Sequence, residues 1–228
     1  MSIRKINILC EGQTEQRFVS KVLSPYLQPY GIVVKPQLLI TNKKLNARGG
    51  MIDYGQSKRD LTNMIASCKD NSYEKNYFST MFDLYALPND FPGSNLPFTN
   101  CYDRVTAIES AFAQDINHYR FVPYIELHEF EALVLCNISQ LKEDYPNASR
   151  NLEALDVEWR RECNGNPELV NTHTETAPSK RIISALSEYY NYDKVKSGTD
   201  VTLSCGIDNL RHNCKHFNQW IETLLSLQ

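Results

Sequence analysis

The sequence of 228 residues predicts an α/β protein in which helices flank a mainly parallel sheet and a helical elaboration follows on the C-terminal side. Three observations support this class. Short β-prone apolar runs alternate with segments of helical periodicity as far as residue 135, several of the apolar runs end at an acidic residue, and the rest of the chain is mostly helical in spacing. We therefore expect an α/β core over residues 1–136 and a helical elaboration over residues 137–228, packed as a single structural unit.

The first predicted elements are a strand, a tight turn and a helix. Residues 6–10 are apolar and β-prone, Glu11 and Gly12 end this run, and a helical pattern begins at Thr14, with Glu15 suited to the positive end of the helix. In an open α/β sheet, ligands bind beyond the carboxyl ends of the strands, so Glu11 is predicted to lie at the mouth of a site. The competing interpretation is that Glu11 is only a polar residue that terminates the strand.

A basic loop is predicted to follow the second strand. That strand covers residues 32–41, and a helix over residues 58–68 comes after the loop. Between residues 35 and 59 the single acid is Asp53, and such a segment could either track phosphates or form an ordinary solvated loop. Its basic residues are Lys35, Lys43, Lys44, Arg48, Lys58 and Arg59.

Acidic residues stand at two further strand ends. Residues 77–83 form a buried-strand pattern that ends at Asp83, and Pro88 and Pro92 exclude a regular continuation. Residues 121–127 predict another strand, which follows a helix over residues 102–116. The end of that strand carries a group of acids around His128, namely Glu126, Glu129 and Glu131.

The C-terminal part is predicted to contain helices over residues 138–144, 150–163, 179–190 and 208–227. In the last of these, His212 and His216 lie four positions apart. No acid lies between them, and packing or surface roles are favoured over a zinc site. Phe217 and Trp220 are expected to pack this helix onto the body of the protein.

The composition is that of an ordinary globular protein. It is 42% hydrophobic and 22% charged, and its apolar runs are too short to span a bilayer. No apolar signal region precedes the first strand, so a cytoplasmic location is expected. The seven cysteines include no CxxC pair, which argues against a disulfide framework or a zinc knuckle. A net charge of -3 argues against a protein that coats nucleic acid by bulk attraction.

The acidic strand ends suggest a metal site. If the strands are parallel, Glu11, Asp83 and the pair Glu126 and Glu129 lie at one edge of the sheet. Carboxylate oxygens are the ligands that Mg²⁺ or Mn²⁺ prefers, and a metal held there can activate water and stabilise a leaving oxyanion. Metal-assisted phosphoryl transfer is therefore the predicted chemistry. The competing interpretation is that these acids pair with Lys or Arg at the surface.

Several motifs carry a resemblance to known families. The Glu11-Gly12-x-Thr14-Glu15 turn, combined with a later strand that ends at Asp83, resembles the Toprim fold of primases, topoisomerases and the overcoming-lysogenization-defect nucleases. Four longer blocks resemble an uncharacterised bacterial family of Toprim-like proteins, over nearly the whole chain. These blocks are residues 82–93 (FDLYALPNDFPG), 123–133 (PYIELHEFEAL), 176–181 (TAPSKR) and 214–220 (CKHFNQW).

The resemblance implies a nuclease that depends on Mg²⁺ or Mn²⁺, with Glu11 as a ligand or general base and Asp83 as the principal ligand. The Asp-x-Asp of the Toprim pattern is here Asp83-Leu84-Tyr85, so a second carboxylate would come from Asp90, Glu126 or Glu129. Members of the resembling family are typically encoded beside an AAA or ABC-type ATPase, and some occur in phage-defence or abortive-infection operons.

We therefore expect the nuclease effector of an ATPase-controlled phage-defence system. Lys180 and Arg181 could contact phosphate, although a solvated helix start is equally compatible. The competing class is a non-catalytic module that holds a nucleotide or docks onto the ATPase. The sequence leaves open DNA or RNA as substrate and whether the protein is a homo-oligomer. The expected catalytic residues are Glu11, Asp83, Asp90, Glu126 and Glu129, and the expected metal ligands are Glu11, Asp83, Glu126 and Glu129.

Overall fold

A parallel sheet forms the centre of the fold. The computed structural model describes residues 2–40, 51, 53–170 and 176–228. The strands run in the order β2-β1-β3-β4, with β5 also pairing with β3, and each of these pairs is parallel. The prediction of an α/β protein with a mainly parallel sheet is therefore confirmed. The strands are β1 (Ile3–Cys10), β2 (Ile32–Leu38), β3 (Glu74–Asp83), β4 (Phe121–Val122) and β5 (Ile125–Glu126).

Helices make up most of the remaining described chain. The first four are α1 (Gln13–Phe18), α2 (Ser24–Leu27), α3 (Tyr54–Ser67) and α4 (Cys101–Ile116). The later ones are α5 (Glu131–Leu135), α6 (Leu141–Asp144), α7 (Ser149–Glu162), α8 (Pro178–Leu186), α9 (Thr199–Cys205), α10 (Ile207–Asn213) and α11 (Lys215–Ser226). Two π-helical turns cover Val19–Leu23 and Lys194–Gly198. Among the helices of the described ranges, none has the length and apolar character needed to cross a membrane.

Alternating side chains of the central strand enter two hydrophobic cores. Ile8 and Cys10 of β1 face a core shared with α1 and the C-terminal helices, whereas Leu9 faces a core shared with α3 and α4. This alternation is the period of two expected of a strand that is covered on both faces. Full burial of one large aliphatic side chain stabilises the fold by roughly 1.5–3 kcal/mol, so both cores hold β1 firmly in place.

The register places the carboxyl ends of β1 and β3 side by side. Cys10, the last residue of β1, pairs with Leu38 of β2 and with Met81 of β3. Asp83, the last residue of β3, pairs with Glu126 of β5. The acids that follow these strands therefore emerge at the same edge of the sheet.

The C-terminal helix α11 packs against the sheet through aromatic side chains. Trp220 stacks on Tyr124 with ring centroids 4.1 Å apart, and its Nε1 donates a hydrogen bond to Ser79 Oγ at 3.0 Å. Phe217 is fully buried in the same core. The packing role predicted for Phe217 and Trp220 is confirmed.

Two predicted elements are interrupted. The predicted strand over residues 121–127 is two short strands, because Pro123 has no amide hydrogen and the next amide, that of Tyr124, donates to Thr80 Oγ1 at 3.0 Å instead. The last predicted helix is divided into α10 and α11 at Cys214, whose backbone is extended. Phe217 and Trp220, which the last predicted helix was expected to bury, are buried nonetheless.

Candidate functional site

Two of the predicted site residues meet where β1 and β3 end. Glu11 directly follows β1, and its Oε2 accepts a hydrogen bond from the backbone N–H of Asp83 at 3.0 Å. Asp83 ends β3, and its Oδ1 accepts a hydrogen bond from the backbone N–H of Phe130 at 3.0 Å. Each carboxylate is thus oriented by one backbone donor and keeps its second oxygen for another partner.

Glu15 joins these two acids from the first turn of α1. Its carboxylate accepts a hydrogen bond from the Gly12 N–H at 2.7 Å, which closes a capping box at the start of the helix. Glycine at residue 12 permits this close approach, since a Cβ there would lie 2.9 Å from Glu15 Oε2 and would displace that side chain. The sequence pattern predicted only the favourable position of Glu15 near the helix N-terminus, not its proximity to Asp83.

A fourth carboxylate and a lysine complete the arrangement. Glu131 is fully buried at the start of α5, and Lys194 Nζ lies 3.2 Å from Glu131 Oε2. The Lys194 side chain is half-buried and comes from the second π-helical turn. The sequence contains no local motif that indicates Lys194. We refer to Glu11, Glu15, Asp83 and Glu131 as the acidic cluster.

Burial and crowding perturb the charges of the acidic cluster. Burial raises the pKa of Glu11 to about 7, although the hydrogen bond from the Asp83 amide opposes the rise. Burial likewise raises the pKa of Glu131 to about 7, with Lys194 opposing. The pKa of Asp83 is raised well above its ordinary value, first by burial and then by the charges of Glu15, Glu11 and Glu131. The cluster thus holds more negative charge than its surroundings compensate.

Lys194 supplies positive charge to this region. Burial alone would lower its pKa, but the carboxylates of Glu131 and Asp83 outweigh that effect and raise it. The ammonium group is therefore protonated at neutral pH. Among the described residues, Lys194 is the cation that acts on all four carboxylates of the acidic cluster. A further bound cation would therefore be stabilised by the negative charge that Lys194 does not neutralise.

Glu126 lies at the neighbouring strand end, but its side chain enters the core. Its carboxylate is fully buried and accepts a hydrogen bond from the Tyr124 hydroxyl at 2.8 Å. Burial raises the pKa of Glu126 well above its ordinary value, which favours the protonated acid. Because this carboxylate lies in the core and is bound by the Tyr124 hydroxyl, the geometry favours a structural role for Glu126.

Two other predicted site residues cap helices. Glu129 accepts hydrogen bonds from the Ser179 N–H and, at 2.9 Å, from the Ser179 hydroxyl, at the N-terminus of α8. Asp90 accepts hydrogen bonds from the Tyr54 N–H at 3.2 and 3.3 Å, at the N-terminus of α3. Carboxylates at these positions satisfy free amides and complement the helix dipole. Each oxygen of Glu129 thus has its own donor, whereas the two oxygens of the exposed Asp90 share one amide hydrogen.

Lys180 and Arg181 lie along a groove of about 880 Å³ that is lined mainly by α7 and α8. Arg181 forms an ion pair with Glu162 at 2.9 Å, and its Nε donates to the Thr176 carbonyl at 3.0 Å. Lys180 is exposed. The structure therefore places these residues on the helical elaboration, with Arg181 engaged in local contacts.

The predicted basic loop is only partly within the described residues. Lys58 forms an ion pair with Asp115 at 2.8 Å, and Arg59 donates to the Gln56 side chain at 2.9 Å. Lys35 is exposed on β2. Outside the described residues lie the end of the predicted second strand and the basic residues Lys43, Lys44 and Arg48.

The part of the chain that the structure describes contains no preformed metal site: no group of at least three His, Cys, Asp or Glu side chains lies close enough together to hold an ion. The packing and surface roles favoured for the paired histidines correspond to their positions. His216 is buried, with Nε2 3.1 Å from Glu109 Oε1, whereas His212 is exposed. Any metal at the acidic cluster would therefore require its side chains to move closer together.

The sequence matches a protein-family model over nearly its whole length. The match covers residues 10–225 and includes the acidic cluster and Lys194, and the model is described as Domain of unknown function (DUF4276). No curated protein matched the sequence, and no solved structure did. Because the family match extends over almost the entire chain, the protein belongs to the DUF4276 family.

Proposed function

We propose that this protein is a metal-dependent nuclease of the Toprim type, which hydrolyses phosphodiester bonds. The observation that carries the proposal is the meeting of Glu11 and Asp83 at the carboxyl ends of two adjacent parallel strands. This edge of an open α/β sheet is where ligands bind. The adjacency of β1 and β3 also supports the resemblance to Toprim proteins, since that resemblance involves the same two strand ends.

The donor atoms of the acidic cluster suit Mg²⁺ or Mn²⁺. Both ions prefer carboxylate oxygens, and Glu11 and Asp83 each keep one oxygen that no backbone donor of the described residues occupies. Among the described residues, Glu131 has no partner for its oxygens other than the Lys194 ammonium. A divalent cation would relieve the repulsion between these groups. We assign Glu11 and Asp83 as ligands and add Glu131 as a further one.

The surrounding residues then have separate chemical roles. A bound metal ion would polarise the phosphate and activate a water molecule. Glu11 would serve either as a metal ligand or as the general base that accepts the proton of that water. Asp83 is fixed by the Phe130 amide, and Lys194 offers positive charge to the phosphate oxygens as negative charge develops there.

An AAA or ABC-type ATPase is the proposed partner, in phage defence or abortive infection in the cytoplasm. The chain carries a net charge of -3 and presents acids at its site, so its own attraction to DNA or RNA is weak. A partner that grips the nucleic acid would supply the missing affinity. Control of a potentially toxic nuclease would then reside in the ATPase.

A non-catalytic module is the second candidate. It is favoured by the absence of a carboxylate at Tyr85, where the Toprim pattern has its second Asp, and by the helix-capping contacts of Glu129 and Asp90. In that case the acidic cluster would hold a nucleotide or receive basic side chains of the ATPase.

Cleavage assays with the ATPase present distinguish the two candidates. The nuclease should cut nucleic acid in Mg²⁺ or Mn²⁺ but not in EDTA, and Asp83→Asn should abolish cutting while leaving the ATPase complex intact. Glu143→Gln, at an exposed acid, serves as the matched control. A docking module would give no cleavage in any metal, and Asp83→Asn would weaken the complex instead.

A further inference from the structure

A separate pocket of about 380 Å³ lies where the chain leaves β3. Leu84 and Tyr85, which directly follow Asp83, contribute to its lining, as does the N-terminal end of α4. Its volume falls within the range of small-ligand sites, roughly 300–1,000 Å³. We call it the His128 pocket, and the lining residues used below are Leu84, Tyr85, Leu96, Phe98, Arg104 and His128.

His128 provides an unpaired hydrogen-bond acceptor. Its side chain is 6% exposed, and its Nε2 lies 3.0 Å from the carbonyl oxygen of Glu168. Because a carbonyl only accepts, Nε2 carries the proton and Nδ1 presents a lone pair. Within the described ranges, Nδ1 is buried without a hydrogen-bond partner. The backbone of His128 has a φ of 68°, a left-handed conformation that is uncommon outside glycine and frequent at binding sites.

Tyr85 provides an unpaired hydroxyl next to this imidazole. The two ring centroids are 5.3 Å apart, and the Tyr85 N–H donates to the His128 carbonyl at 3.1 Å. The Tyr85 hydroxyl is buried, and no described residue accepts or donates a hydrogen bond to it. Buried polar atoms without partners oppose folding, and a molecule that pairs them recovers that free energy.

The rest of the pocket combines apolar surface with one positive charge. Leu84, Leu96 and Phe98 supply the apolar part. Arg104 lies in the first turns of α4, a helix of 16 residues whose N-terminus is capped by Asn100. Its guanidinium forms no ion pair with the residues described by the structure. A helix N-terminus beside a guanidinium that has no ion pair among the described residues favours an anionic group such as phosphate.

We propose that the His128 pocket binds the base of a nucleotide. A nucleobase is a flat heterocycle that carries an N–H donor beside an acceptor, which would pair with His128 Nδ1 and the Tyr85 hydroxyl respectively. Because both atoms are buried in the unbound protein, the half-buried Tyr85 side chain would shift to let the base reach them. The phosphate of the same nucleotide would lie toward Arg104. A simple anion would leave the Nδ1 lone pair without a donor, and a purely apolar ligand would leave both polar atoms unpaired.

The position of the pocket suggests its use. Only Leu84 separates Asp83 from Tyr85, so a base held here would bring its nucleotide beside the acidic cluster. This use as a substrate subsite rests on the proposed nuclease function, whereas binding itself does not. The base can belong to a free mononucleotide or to an unpaired nucleotide within a strand.

Isothermal titration calorimetry on the full chain tests the proposal. The probes are the four common nucleoside 5′-monophosphates, a short single-stranded oligonucleotide, and ribose 5-phosphate as the base-free comparison. We expect binding of at least one base-containing probe and at least tenfold weaker binding of ribose 5-phosphate. Tighter binding of the mononucleotide indicates a free nucleotide as ligand, and tighter binding of the oligonucleotide indicates a strand; both results support the pocket.

Variants assign the binding to this pocket. Tyr85→Phe should weaken binding at least tenfold without lowering the melting temperature, because it removes a hydroxyl that has no partner. Tyr119→Phe, at a tyrosine that is 83% exposed, should bind like the wild type. His128→Asn removes the imidazole acceptor while tolerating the left-handed backbone, and should weaken binding to a similar extent even if Tyr85→Phe fails to fold.

Three results would overturn the proposal: no binding of any base-containing probe, equal binding of ribose 5-phosphate, or wild-type affinity in His128→Asn.

Asp83→Asn separates this proposal from the nuclease proposal. It should abolish cleavage but leave mononucleotide affinity unchanged, since Asp83 is not part of the pocket lining. Nucleotide binding without metal-dependent cleavage would refute the nuclease and leave the pocket standing.

Discussion

At the scale of single residues, the hydrogen-bond donors around each buried carboxylate decide what that carboxylate can do. Glu129 is satisfied by the amide and hydroxyl of Ser179, and its oxygens are committed to that contact. Glu131 lies only two positions further along the chain, yet Lys194 is the sole cation beside it among the described residues. These two acids of one short segment thus differ in role. Glu129 accepts hydrogen bonds from Ser179, whereas the oxygens of Glu131 remain available to a bound cation.

Glu131→Gln should reduce the pH dependence of stability. The pKa of Glu131 in the folded protein, about 7, exceeds its ordinary value of 4.5, so the folded state binds this proton more tightly than the unfolded chain does. That contribution is fully present below about pH 4.5 and is lost as the pH rises through 7, on the order of 3 kcal/mol. Urea unfolding near pH 5 and near pH 8 should therefore differ less for the variant than for the wild type.

The matched control for this measurement is Glu143→Gln, which changes an exposed acid and should retain the wild-type pH dependence. If Glu131→Gln and the wild type lost the same stability between the two pH values, the ionised form of Glu131 would not be disfavoured by the fold. The claim that burial in the acidic cluster raises the pKa of Glu131 would then be wrong.

Asp83→Asn should leave the fold intact. The amide oxygen of Asn can still accept the hydrogen bond from the Phe130 N–H, and the change removes a charge that is crowded by Glu11 and Glu15. Thermal melting near pH 8 should show a melting temperature equal to or above that of the wild type. A fall of many degrees would indicate that the negative charge of Asp83 holds the strand ends together.

At the scale of secondary-structure elements, carboxylates fasten helices to the body of the protein. Glu129 caps α8, Asp90 caps α3, and the fully buried Glu168 accepts hydrogen bonds from the His216 and Phe217 amides at 3.1 and 3.0 Å at the start of α11. Each of these acids comes from a segment distant in sequence from the helix it caps. Through Glu129, the helical elaboration is tied to the segment that follows β5, at the end of the sheet where the site lies.

Glu129→Ala tests this capping role. It should reduce the free energy of unfolding by about 1–3 kcal/mol, because the buried Ser179 amide and hydroxyl lose their acceptor. Chemical denaturation measures the loss, and Mn²⁺ affinity measured in parallel should stay at the wild-type value. Glu143→Ala, at an exposed acid, should change neither quantity. A tenfold loss of Mn²⁺ affinity with full stability would instead make Glu129 a metal ligand.

Local patterns were sufficient to predict the strand, turn and helix around Glu11 and the strand that ends at Asp83, because periodicity and glycine preferences act over a few residues. They were insufficient for Lys194, since its contact with Glu131 depends on long-range packing. Glu129 could not be classified either, because a carboxylate after a strand has the same local sequence whether it binds metal or caps a later helix. One signal was present: α8 begins after Ala177, which has no side chain able to cap it.

At the scale of the whole molecule, charge limits what the chain can do alone. A net charge of -3 and an acidic site weaken its attraction to a polyanion, and screening by salt reduces any remaining local attraction. We expect the purified chain to cleave nucleic acid slowly or not at all, and the rate to rise when the ATPase is added. Cleavage rates across a salt series, with and without the ATPase, measure this. Rapid, salt-tolerant cleavage by the chain alone would contradict dependence on a partner.

The most direct test of the central claim is Mn²⁺ binding measured by electron paramagnetic resonance on the wild type, Glu11→Gln and Asp83→Asn, with Glu143→Gln as the exposed control. If the strand-end acids hold a divalent ion, the wild type and the control should bind Mn²⁺ equally, and both site variants should bind at least tenfold more weakly while remaining folded. Wild-type Mn²⁺ affinity in both folded site variants, or no Mn²⁺ binding by the wild type, would contradict the claim.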